Sequence, residues 1–198
     1  GHGAEDLRIR FQWTAPIVIS HHDPKVVYHA GNHLFRTTNN GQNWEQVSPD
    51  LTRNDRSKMK WSGGPITGDN TTAEFYGTIF ALAESPKQKG LLWAGTDDGL
   101  VHLSRDDGKT WTNLTKNIPD LPDWGTVSCL EASPHDAGTA WLVVDAHRLD
   151  NYRPYLWKTT NFGATWERLG EELDGSTYLH VVREDPAQKN LLFVGSER

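Results

Sequence analysis

One eight-residue pattern occurs three times in this chain of 198 residues: TTNNGQNW at 37–44, SRDDGKTW at 104–111 and TTNFGATW at 159–166. The shared form is Ser/Thr-x-Asp/Asn-x-Gly-x-Thr/Asn-Trp, opened by Thr37, Ser104 and Thr159. Its chemistry is that of a turn. The third residue (Asn39, Asp106, Asn161) bonds nearby backbone amides, and the fifth (Gly41, Gly108, Gly163) accepts a positive φ. The closing tryptophan (Trp44, Trp111, Trp166) supplies a large apolar anchor. A stapled β-hairpin is the expected product, and three of them in one chain mean a repeated supersecondary unit.

The flanking sequence repeats as well. Apolar-alternating runs at 17–20, 79–83, 127–132 and 179–182 each lead to a proline turn, at Pro24, Pro86, Pro134 and Pro186. Second runs follow at 26–30, 91–95, 140–144 and 191–195, which puts Tyr28, Trp93, Trp141 and Phe193 at equivalent positions, expected in the core. Third runs at 34–36, 101–103 and 156–158 pass directly into the octamers, and short fourth strands are expected after each closing tryptophan. Nine tryptophans and 18 glycines, with few helix-forming stretches, agree with an all-β chain.

The octamer resembles the Asp box, or BNR repeat, of bacterial sialidases, sortilin-type receptors and two-propeller xyloglucanases. The whole chain resembles bacterial proteins of the sortilin-like and BNR-repeat glycosyl hydrolase-like kind. The resemblance implies a β-propeller with blades of four antiparallel strands, in which the Asp box joins the third strand to the fourth, away from the ligand face. Asn39 and Asn161 stand where the family usually has Asp, so weaker hydrogen bonding is expected there. Residues 16–48, 78–115 and 126–170 are then blades, 49–77 a long inter-blade loop, and 177–198 half a blade. Residues 1–15 are expected to hold the end of a preceding blade, with its strand at 8–13. The octamers begin 67 and then 55 residues apart, against about 40–50 for a minimal blade, so the excess lies in loops. About three and a half blades cannot close a ring of roughly four to eight. The expectation is an incomplete propeller, its remaining blades supplied by the same parent chain or by another chain.

A formal charge of −6 with no Lys/Arg-rich segment argues against nucleic acid as a partner, because a phosphate-tracking surface needs clustered cations. No apolar run approaches the ~18 residues of a membrane span, and residues 1–10 lack the apolar stretch of a signal peptide. A secreted or periplasmic location is what the family resemblance implies. The single cysteine, Cys129, sits in an alternating run and reads as a buried structural thiol. His21, His22 and Asp23, with His29 and His33 nearby, invite a metal reading. Adjacent strand residues point to opposite faces, however, and no ligand spacing is present, so neither metal nor cofactor is assigned.

In such a blade the loops between second and third strands, and those between blades, open on the face opposite the octamers. That face carries the excess loop length, so function is sought there. Asp69, Asp98, Asp145 and Asp150 are its candidate catalytic carboxylates. Trp61, in the loop of Gly, Pro and hydroxyl residues, offers a sugar-stacking platform. The insertion at 145–154 gathers two Asp, one His, two Arg and a Tyr. Within it Arg148 and Arg153 suit a carboxylate clamp, with Tyr152 beside them. Two functions follow from these residues. One is a scaffold that binds a glycan or peptide through these loops. The alternative is part of a sialidase- or xyloglucanase-like glycoside hydrolase, which needs two carboxylates about 5–10 Å apart. No sequence rule selects the pair.

Overall fold

The computed structural model describes residues 3–64, 66–68 and 75–197. Three antiparallel four-stranded sheets follow one another along the chain, each a meander in sequence order, and a two-stranded sheet follows them. The first blade is β1 (Ile17–Ile19), β2 (Val27–Ala30), β3 (Leu34–Thr37) and β4 (Glu45–Gln46). The second is β5 (Ile79–Glu84), β6 (Leu92–Thr96), β7 (Val101–Ser104) and β8 (Thr112–Asn113). The third is β9 (Thr126–Ala132), β10 (Ala140–Asp145), β11 (Leu156–Thr159) and β12 (Glu167–Leu169). The half blade is β13 (Leu179–Glu184) and β14 (Leu192–Ser196). The sheets do not close on themselves, so the protein is an incomplete β-propeller. Among the described residues no helix is long and apolar enough to cross a membrane.

Packing between blades explains the repeated aromatics. Tyr28, Trp93 and Trp141 are buried on the second strands, each against the blade that follows. The Tyr28 hydroxyl donates to Asp107 at 2.7 Å. Trp93 meets Trp166 edge-on, with ring centres 6.0 Å apart. Trp141 Nε1 donates to Glu184 at 3.1 Å. Phe193 holds the equivalent register but is 60% exposed, contrary to its expected place in the core, because no further sheet among the described residues covers β14. The octamer tryptophans face the preceding blade instead. Trp111 Nε1 donates to Val47 O at 3.0 Å and Trp166 is buried, while Trp44, with no sheet before it among the described residues, is half-exposed.

All three octamers join a third strand to a fourth and fold alike. The opening hydroxyl accepts the glycine N–H at 2.8–3.0 Å and donates to the Asx Oδ1 at 2.9–3.0 Å. The same Oδ1 accepts the amide of Asn43, Thr110 or Thr165. Asn in place of Asp therefore keeps every backbone bond of the turn. Asp106 adds a bond from the Thr110 hydroxyl at 2.6 Å, and Asn161 replaces it by donating its amide to the Thr165 hydroxyl at 2.8 Å.

Two further links were not legible as a repeat. His22 Nε2 donates to Ser85 O, and His135 Nε2 to Asp185 O, each at 2.8 Å and each from one blade to the next. Residues 8–13, expected as a strand of a preceding blade, form no strand beyond a one-residue bridge at Gln12. They hold the buried Arg10, which donates to Gly77 O at 3.1 Å and to Asp50 at 2.9 Å, tying the chain's first segment to the long loop and to the start of the second blade. Cys129 is buried, as expected.

At Gly95 in β6 the second blade lies close against the third: a Cβ there would stand 2.1 Å from Val127 Cγ1. Gly95→Ala is expected to lower stability by about 1–3 kcal/mol, read from the denaturation midpoint at unchanged m-value. Adding Val127→Ala should make the double variant less destabilised than the sum of the two singles.

Candidate functional site

Inner strands and loop ends converge on the face opposite the octamers and border an open-sided cavity of about 710 Å³. Trp13, Tyr76 and Trp124 reach it from the segments that lead into β1, β5 and β9. Asp97 enters from the β6–β7 turn, and Asp145, His147 and Arg148 from the loop after β10. Phe80, Ser128 and His180 project into it from the inner strands themselves. The cavity thus combines large aromatic faces with carboxylates, imidazoles, hydroxyls and a guanidinium, so it offers both stacking surfaces and hydrogen-bonding groups.

Asp97 is nearly inaccessible, yet it lines the cavity. Its Oδ1 accepts the amides of Gly77 at 3.0 Å and Thr78 at 2.9 Å, and its Oδ2 accepts the Thr78 hydroxyl at 2.9 Å. Thr126 of the third blade donates to its carbonyl at 3.2 Å. Burial pushes its carboxyl up to about 7, opposed by the Thr78 amide and assisted by the adjacent Asp98 charge. Burial likewise raises the Tyr76 hydroxyl, with the Asp97 charge adding to the effect.

At the other end the loop after β10 folds into a 3₁₀ turn over His147–Leu149. Asp145 fixes it by accepting the His147 amide at 2.9 Å, while its carboxylate oxygens lie 2.7 and 2.8 Å from His147 Nδ1. That pairing sets the imidazole's orientation and leaves Nε2 as its outward nitrogen. The ring stacks on Tyr178 with centres 4.6 Å apart, and Tyr178 meets His180 edge-on at 5.0 Å. His180 Nε2 lies 3.1 Å from Glu197. Beyond Tyr178 lies a second, more open hollow of about 860 Å³, bounded by Asp150, Asn151, Tyr152, Arg153, Gly175 and Ser176.

The structure divides the residues singled out from the sequence. Asp145 and Arg148 line the cavity, whereas Asp150, Tyr152 and Arg153 border the second hollow, so the two arginines do not converge on one pocket. Asp98 is buried and held by the Arg53 amide at 2.8 Å and the Thr96 hydroxyl at 2.5 Å, outside the cavity lining. Trp61 lies over Gly68, where a Cβ would come within 2.5 Å of its indole, and it does not line either hollow. Asp69 lies outside the described residues. Among the described residues no three His, Cys, Asp or Glu side chains are grouped to hold a metal ion. His29 instead stacks on Phe11 at 5.0 Å, and His33 Nδ1 contacts Ser48 O. Sequence reasoning missed Tyr76, Phe80 and His180, and of the acids in the turn at 97–99 it singled out Asp98 rather than Asp97. The Asp97-Asp98 pair was visible in the β6–β7 turn, but which of two adjacent acids faces inward depends on the Gly77-Thr78 amides that hold it.

Fold and cavity together define an incomplete β-propeller with a ligand-sized pocket on its loop face. Among solved structures the chain is similar to an ancestral GH74 enzyme, with a TM-score of 0.67 and 15% identity over 96% of this chain and 22% of that one. It is similar also to the GH74 xyloglucanase from Xanthomonas campestris, with a TM-score of 0.62 and 17% identity over 92% of this chain and 26% of that one. The GH74 enzyme from Niastella koreensis gives 0.59 and 15% over 94% of this chain and 28% of that one. The chain therefore spans about a quarter of the length of these proteins, and at such identity the likeness is one of fold. No family model matches the chain, and no curated protein is similar to it in sequence.

The Asp97 carboxyl gives a pH signature. Its ordinary value is 3.8 and its folded value about 7, so the folded protein keeps a proton that the unfolded chain releases in between. Stability should fall as pH rises through that window and level off above it. Asp97→Asn, which keeps the acceptor for the two amides, is expected to flatten this fall in a pH series of thermal unfolding. Retention of the full slope would show that another group causes it.

Proposed function

We propose that this chain is a segment of an extracytoplasmic Asp-box propeller, secreted or periplasmic, that binds a glycan through the loop-face cavity. The observation that carries the reading is the meeting of Trp13, Tyr76, Phe80 and Trp124 with Asp97 and the Asp145–His147 pair in one cavity. A pyranose ring has an apolar C–H face suited to aromatic rings and a rim of hydroxyls suited to carboxylates and imidazoles. On this reading the octamers are Asp boxes with a structural role, which their hydrogen bonding supports. Further blades, from the parent chain or another chain, cover the exposed Ile17 and Ile19 at one end and Phe193 at the other. The fold likeness to a xyloglucanase makes xyloglucan fragments the first ligands to try.

One observation favours a second reading, glycoside hydrolysis. Asp97 and Asp145 line the same cavity, and the environment that keeps Asp97 neutral up to about pH 7 is the environment a general acid needs. The two readings separate in one experiment with xyloglucan oligosaccharides. Trp13→Ala and Tyr76→Ala should each weaken binding about tenfold, measured by calorimetry. If the protein also cleaves the sugar, Asp97→Asn should abolish cleavage while binding persists. Binding without cleavage assigns a scaffold, and binding of peptides but of no saccharide removes the glycan reading.

A further inference from the structure

The inner strands carry one irregularity that recurs at the same place. In β5 and β6, Ile79 faces Thr96 and Ala81 faces Gly95, which leaves Phe80 as an extra residue. In β9 and β10, Val127 faces Val144 and Cys129 faces Val143, leaving Ser128. In β13 and β14, Leu179 faces Ser196 and Val181 faces Gly195, leaving His180. The pairing of β1 with β2 has no such shift. A β-bulge turns its extra side chain out of the regular alternation, and bulges recur where a strand must aim a side chain at a site.

All three extra residues line the cavity. Structural necessity alone does not account for their side chains. The position is filled by a half-buried phenyl ring, a small hydroxyl and an exposed imidazole, although the register shift is the same in these three sheets. A glycine stands on the partner strand opposite the residue after two of the bulges, Gly95 facing Ala81 and Gly195 facing Val181, and a Cβ at Gly195 would stand 2.7 Å from Val181 Cγ1. The backbone device is thus held constant while the side chain it presents changes from blade to blade.

We infer that Phe80, Ser128 and His180 form a specificity-determining row, each meeting a successive part of one saccharide chain laid along the cavity. The inference rests on the glycan-binding reading above and assigns the order of contacts within it. Phe80, near Tyr76 and Trp124, takes the apolar face of a sugar ring. Ser128, whose hydroxyl donates to Val143 O at 3.3 Å, sits at the middle, where its small size leaves room for a substituent. His180, oriented by Glu197 and flanked by Tyr178, takes a hydroxyl or a branch at the far end.

The test compares xyloglucan and unbranched cello-oligosaccharides of equal backbone length, titrated into the wild-type protein and into Phe80→Ala, Ser128→Val and His180→Ala. Gln88→Ala, in the turn between β5 and β6 and away from the cavity, serves as control, and thermal unfolding verifies that each variant is folded. The row predicts that the ratio of the two affinities changes by about threefold or more in at least one bulge variant and is unchanged in the control. An unchanged ratio in all three bulge variants overturns the inference, whether or not affinity falls. If Tyr76→Ala still weakens binding in that case, the cavity reading survives without the row. If the wild-type protein binds neither sugar, the row and the cavity reading fall together.

Discussion

Trp93 loses all of its exposure only because the third blade lays Trp166 and β9 against the second. Removing an indole of that size from water contributes on the order of 4 kcal/mol as an upper bound, and Tyr28 and Trp141 repeat the arrangement on either side. Each blade therefore supplies an aromatic that it cannot bury alone. The following blade covers it, and behind Tyr28 and Trp93 the following octamer tryptophan, Trp111 or Trp166, packs into the same cluster. The half-exposed Trp44 and the exposed Phe193 mark where that exchange has no partner among the described sheets.

The cavity is a consequence of this radial packing. Close approach of Gly95 in β6 to Val127 in β9 brings the second and third blades together, and the loop-face ends of their inner strands then converge with the segments that connect the blades. Asp97 shows how packing and site share one residue. It fastens the start of β5 through two amides and a hydroxyl, bonds to the third blade through Thr126, and still borders the cavity with a proton held near neutral pH. The octamers serve the opposite face. Their hydroxyl, Asx oxygen and glycine amide satisfy one another, which leaves them little to offer a ligand.

Much of the fold was legible because its causes are local. Turn chemistry fixed the three octamers, and alternation with a proline turn placed the strands to within a few residues of their ends. Face assignment followed from connectivity alone, and it directed attention to the loop after β10, where His147 and Arg148 border the cavity. What the sequence did not reveal depends on contacts distant along the chain. Trp61 reads as part of the loop-face pocket, yet it lies over Gly68 and lines neither hollow. Asp98 reads as an available acid until the Arg53 amide and Thr96 enclose it. The bulges at Phe80, Ser128 and His180 leave no mark on hydropathy, since one extra residue merely shifts the alternation. Arg10 reads as part of an edge strand, yet its partners lie 40 and 67 residues away.

The same division of labour organises the functional account: a face of self-satisfied hairpins, and a face where aromatics, two carboxylates and two imidazoles remain directed into a cavity. Crystals of the protein soaked with a xyloglucan oligosaccharide test it most directly. The account predicts sugar density in the cavity, with a ring against Tyr76 or Phe80 and hydroxyls within hydrogen-bonding distance of Asp97, His147 or His180. Sugar bound at the octamer face, or an empty cavity with sugar bound elsewhere, would contradict it.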